Sequence, residues 1–90
     1  SCYAMGFRDE KIREKIKAMM IRFIEFGVEE IIGWEETGLA SVDDKEKTAA
    51  KILALSEGFG IVKNSLDDPN LVKDIADFFK NTALEILNSK

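Results

Sequence analysis

The stretch Thr48–Leu66, TAAKILALSEGFGIVKNSL, decides the fold. Apolar or small residues stand at Ala49, Ala50, Ile52, Leu53, Ala54, Leu55, Phe59, Ile61, Val62 and Leu66, too many for one face of a surface helix. A helix that is apolar on two sides has to be covered on two sides. The chain offers a long segment before it and a shorter one after it, which puts this helix at the centre of a small all-α assembly. Ninety residues suit a single domain, 1–90, and a domain of that size builds only a marginal core by itself. Burial against a second copy is therefore expected.

On the N-terminal side, the spacing predicts a helix over 9–37. Asp9 and Glu10 set negative charge against the positive end of its dipole. Ile12, Ile16, Met19, Phe23 and Phe26 recur at intervals of three and four, and Met20, Ile24, Val28, Ile31 and Ile32 form an adjacent stripe. Glu10, Arg13, Glu14, Lys17 and Arg22 are left for solvent. Gly27 and Gly33 each cost about 1 kcal/mol against alanine inside a helix. They read as close approach of another backbone, a bend near a cavity, or simple tolerance. Gly38 suits the left-handed position that closes a helix, and Leu39 to Val42 make a short connector.

The central helix is expected over 43–65, with Asp43 capping it and Glu46 reaching back in a capping box. Gly58 and Gly60, one residue apart, weaken it and call for a local reason, either tight helix packing or a kink opposite a pocket. On the C-terminal side, Asp68-Pro69 opens a third helix over 69–88, because proline is preorganised for the first helical position and aspartate is a good cap. Leu71, Ile75, Phe78, Phe79, Thr82 and Ile86 make its stripe, widened by Val72, Ala76, Ala83 and Leu87. At 1.5 Å per residue the three helices run roughly 40, 33 and 30 Å. The last two match in length, so they form an antiparallel hairpin, and two hairpins from two copies make a four-helix bundle.

Composition narrows the function. The chain is 46% hydrophobic and 33% charged with a formal net charge of −4, so it lacks the clustered Lys and Arg that grip a phosphate backbone. Its one cysteine, Cys2, and its lack of histidine exclude an internal disulfide and the usual zinc sites, and suit a reducing, cytoplasmic setting. No metal or cofactor is expected. The sequence holds no apolar run near eighteen residues and no signal-peptide pattern, so no membrane association is expected. The opening SCYAMGF lacks an initiator Met, so the chain is expected to be a fragment of something longer, with Ser1 a cloning remnant. Ser1–Arg8 reads as a frayed end or as the last turn of a preceding helix.

Paired acids stand at Glu29-Glu30, Glu35-Glu36, Asp43-Asp44 and Asp67-Asp68. Neighbouring helical residues point about 100° apart, and two of these pairs sit at helix starts, so none reads as a general acid–base pair. P-loop, dinucleotide and nucleophile-elbow patterns are missing from the sequence, which excludes the enzyme classes they define. What remains is the apolar content of the first helix. Met19, Met20, Phe23, Phe26 and Trp34 are the kinds of residue that line apolar ligand pockets, and equally the kinds that fill an ordinary core.

A long helix ending at Gly38, a short connector to Asp43, the run AKILALSEGF from Ala50 to Phe59, and a last amphipathic helix opened by Asp-Pro together resemble the C-terminal regulatory domain of TetR-type transcriptional repressors. The resemblance runs from about Met5 to Asn88. It implies a homodimer whose last two helices build a four-helix bundle, and a pocket for a small apolar or cationic effector. Binding there would alter the operator affinity of an N-terminal helix-turn-helix domain absent from this chain, so that DNA is touched only by a segment not present here. Carried onto these residues, the pocket falls on Met20, Phe23, Ile24 and Gly27. The dimer surface falls on Leu55, Phe59, Val62, Leu66, Ile75, Phe79 and Ile86, and Phe59→Glu is expected to break self-association. Two other classes stay open: a helical protein–protein adaptor without a ligand pocket, and a small enzyme with a site in the bundle core. The second would need convergent buried polar groups that the stripes do not hold.

Overall fold

A computed structural model describes residues 9–90; the reading of Ser1–Arg8 as a frayed end or a helical turn lies outside them. The chain forms three helices, α1 (Glu10–Glu36), α2 (Lys45–Ser65) and α3 (Pro69–Leu87), with no strand among the described residues. Each begins on an aspartate in an extended conformation. Asp9 accepts from the N–H groups of Lys11 and Ile12 at 2.9 and 3.2 Å. Asp68 accepts from those of Asn70 and Leu71 at 3.0 and 3.2 Å, with Pro69 in the first turn. In α2 the cap is Asp44 and not Asp43, and it accepts from the Lys47 N–H at 2.9 Å. The reason lies one turn upstream. Ala40 and Val42 are buried, which holds the connector extended as far as Asp44 and delays the helix by a residue.

Gly38 closes α1 with φ +80°. The Leu39 N–H donates to Trp34 O at 2.7 Å and the Gly38 N–H to Glu35 O at 3.2 Å, which are the paired bonds of a Schellman motif. The connector is then held at both ends. Glu35 accepts from the Lys45 ammonium at 3.0 Å and from the Val42 N–H at 3.4 Å. At the far end of the molecule's chain, the Ser41 N–H donates to Leu87 O at 2.8 Å and the Lys90 N–H to Ser41 O at 3.1 Å. The end of α3 therefore lies against the start of α2, as an antiparallel hairpin requires.

α1 packs on one side of α2 and α3 on the other, so the three helices lie side by side in a layer measuring 42 × 35 × 16 Å. The short dimension is little more than one helix diameter. A radius of gyration of 15.1 Å against about 12 Å for a compact chain of this length says the same. Among the described residues, only Ile31, Ala40, Val42, Thr48 and Ala49 are buried. Ile31, Val42 and Ala49 form the one tight cluster, with Ile24, Val28 and Leu87 against it. No residue of α3 is buried. The layer leaves its apolar faces open.

Candidate functional site: two apolar grooves flanking the central helix

α1 and α2 meet closely at Gly27: a Cβ placed there would stand 3.0 Å from the Ala49 Cβ. A groove of about 310 Å³ includes that contact in its lining. Phe23, Phe26, Gly27, Ile31 and Trp34 line it from α1, and Ala49, Ile52, Leu53, Ser56 and Glu57 from α2. The period of the helix explains the first set, since residues three and four apart share a face. The Ser56 hydroxyl donates to Ile52 O at 2.9 Å, so its one proton is already engaged. Glu57 stands in the same wall. Aromatic rings and aliphatic walls suit an apolar organic molecule, and ring faces also suit a cationic one; nothing in that set suggests covalent chemistry.

Of the four residues expected to form the pocket, Phe23 and Gly27 stand together in this groove. Ile24 points elsewhere: it packs on the Ile31–Val42–Ala49 cluster and borders a second depression with Ile21, Val28, Glu25, Glu29 and Glu46. Met20 is half-buried and stands in neither wall. Phe26 and Trp34, noted in the sequence as pocket-type residues, do line the groove. The α2 wall was not foreseen. Its apolar residues surround the helix, so the pattern does not say which of them faces α1.

A second groove of about 270 Å³ runs between α2 and α3. Leu55, Phe59, Val62, Ile75 and Phe79 line it, together with Ala54, Gly58 and Phe78. Five of the seven residues expected at a dimer surface thus come together, whereas Leu66 and Ile86 are half-buried and stand outside its walls. Phe59 and Phe79 stack within the chain, with ring centroids 5.2 Å apart. A charge at Phe59 would therefore damage the hairpin itself as well as any surface beyond it. The outward residues are Phe78, 61% exposed, with Ile61, Leu71 and Leu84. A Cβ at Gly58 or Gly60 would meet nothing within 4 Å, so the tight packing expected there does not occur inside one chain.

Electrostatics enter at the connector. The hydrogen bond from Lys45 holds the Glu35 carboxyl below its ordinary pKa; desolvation opposes this, and the Val42 N–H adds to the lowering. Among the described residues, no group of three or more acidic or thiol side chains could hold a metal ion, and no helix is long and apolar enough to cross a membrane.

A thin all-α layer with apolar grooves on both sides of its middle helix defines a class: small helical domains that leave much of their apolar surface open within one chain. The chain matches, over residues 1–89, the family described as the tetracyclin repressor-like C-terminal domain, and it belongs to that family. It is thus a domain of transcriptional regulators, which are not enzymes. No curated protein and no solved structure gives a significant match.

Proposed function

We propose that this chain is the effector-binding and dimerisation domain of a TetR-like repressor that works in the cytoplasm. A small apolar or cationic molecule would occupy the groove between α1 and α2, and the α2–α3 hairpin would pair with that of a second copy in a four-helix bundle. Effector binding would change the operator affinity of a helix-turn-helix segment N-terminal to these residues. The observation that carries the reading is the groove itself, which opens beside the Gly27–Ala49 contact and is lined by Phe23, Phe26 and Trp34. Exposed apolar residues on the hairpin support the second part, since a monomer that leaves Phe78, Ile61, Leu71 and Leu84 in water forgoes their burial.

Trp34 is the chain's one tryptophan and stands in the groove wall, so it reports on occupancy directly. Titration with neutral N-phenyl-1-naphthylamine and with tetraphenylphosphonium should give a saturable change in Trp34 emission for at least one of them. Phe23→Ala should weaken that binding about tenfold, the order expected from losing a buried aromatic contact. No saturable change with either probe, or binding indifferent to Phe23, would refute the effector site and leave an adaptor that pairs through the same faces.

A further inference from the structure

Along α1 the charges are sorted by sign. From Glu10 to Arg22 stand five basic residues and two acidic ones; from Phe23 to Glu36 stand five acidic residues and no basic one. This order works against the helix, whose dipole favours acids at the N-terminus and bases at the C-terminus. Its last turn carries Glu35 and Glu36 with no base. Helix stability does not account for the pattern, and a facing surface would.

The sorted charges include a run at seven-residue spacing, Lys15, Arg22, Glu29 and Glu36, all exposed. Seven residues return to nearly the same face of a helix, so these four form one stripe that changes sign halfway. Beside it lie Met19, Phe23 and Phe26 at intervals of four and three, exposed by 45%, 46% and 63%. An apolar stripe with that spacing, flanked by charges every seventh residue, is the pattern of a helix that pairs with another helix.

We infer that α1 is a second self-association surface, on which α1 of another copy lies antiparallel so that the basic half of each helix faces the acidic half of the other. The register follows from the charges. Residues 15 and 36 share a midpoint with residues 22 and 29, between positions 25 and 26, so one two-fold axis sets Lys15 against Glu36 and Arg22 against Glu29 in both directions. Phe23 and Phe26, which also line the α1–α2 groove, lie next to that axis, so pairing here and occupancy of the groove share these two rings. A parallel arrangement would instead put each charge against its own like, so the stripe also selects the direction. This surface lies on α1, apart from the hairpin between α2 and α3, and the inference stands whether or not the hairpin pairs.

Two charge-reversal variants of the whole chain test it. Lys15→Glu/Arg22→Glu makes the stripe wholly acidic, and Glu29→Lys/Glu36→Lys makes it wholly basic. By sedimentation velocity each variant alone should show fewer chains per particle than the wild type, and an equimolar mixture should recover the wild-type value. Circular dichroism checks that both remain helical. Raising salt from 0.1 to 1 M, which shortens the screening length from about 10 to 3 Å, should weaken the mixed pairing about tenfold. A wild-type chain that stays monomeric, variants that keep its particle size, or a mixture that recovers nothing would each overturn the inference. Phe78→Glu separates it from the hairpin reading: that substitution removes hairpin pairing alone and leaves the response to charge reversal in place.

Discussion

Gly27→Ala and Gly33→Ala make a matched pair of perturbations, two glycines six residues apart in one helix with opposite surroundings. In a helix interior alanine is favoured over glycine by about 0.8–1.0 kcal/mol. At Gly33 nothing stands within 4 Å of the added methyl, so the full gain should appear. In a domain of this size it raises Tm by roughly 4–8 °C. At Gly27 the methyl would lie 3.0 Å from the Ala49 Cβ, well inside the 3.5–4.0 Å at which carbon atoms rest. Ala49 is buried, and its Cα backs the contact at 3.8 Å, so relief requires α1 and α2 to move apart along their length. Overpacking of that kind costs about 1–3 kcal/mol, which cancels or exceeds the gain in propensity. Gly27→Ala should therefore fall about 1–3 kcal/mol below Gly33→Ala in urea unfolding followed by circular dichroism, both at one protein concentration because association shifts the midpoint. Equal stabilisation by the two substitutions would show that α1 and α2 do not meet at Gly27, and the groove whose lining includes that contact would lose its geometry.

Asp68→Ala removes the carboxylate that accepts from the Asn70 and Leu71 N–H groups and should cost about 1 kcal/mol in the same assay, with Asp43→Ala close to neutral because Asp44 is the cap of α2. Gly38→Ala forces a Cβ onto a residue at φ +80° and should cost about 1–2 kcal/mol. Glu35 links stability to acid. Its pKa is depressed in the folded chain, so its contribution is complete above the unfolded value and is lost as pH falls through the folded one. Unfolding midpoints measured from pH 6 downward should drop more steeply below about 4.5 for the wild type than for Glu35→Gln, and parallel curves would show that the Lys45 contact does not persist in solution.

Local signals in the sequence carried far, and long-range ones did not. Asp9, Asp68-Pro69 and Gly38 mark helix ends by chemistry confined to three or four residues, and the structure uses all of them in that way. The sequence points to Asp43 as the cap of α2, whereas the structure uses Asp44. The shift goes with the burial of Ala40 and Val42, and Val42 is buried in a cluster with Ile31 that Leu87, far away in the chain, packs against. The same limit applies to the groove. Helical spacing put Phe23, Phe26 and Gly27 on one face of α1, but Ile24, one residue from Phe23, turns towards the core cluster and Met20 stands outside the walls. Ile52, Leu53, Ser56 and Glu57 left no trace as groove residues, because α2 is apolar nearly all round and its pattern has no preferred direction. Gly58 and Gly60 were visible as an anomaly, yet in the folded chain open space faces both.

Open space faces those two glycines, and Phe78, Ile61, Leu71 and Leu84 stay exposed on the α2–α3 hairpin; the proposed cover for that surface is another copy of this chain. Sedimentation equilibrium of the wild type beside Phe78→Glu tests this most directly, since Phe78 is 61% exposed while Phe59 and Phe79 hold the hairpin together from within. More than one chain per particle for the wild type, falling in Phe78→Glu with helicity unchanged, is the predicted result. A wild-type chain that sediments as a folded monomer at micromolar concentration, or a Phe78→Glu variant of unaltered mass, would contradict it.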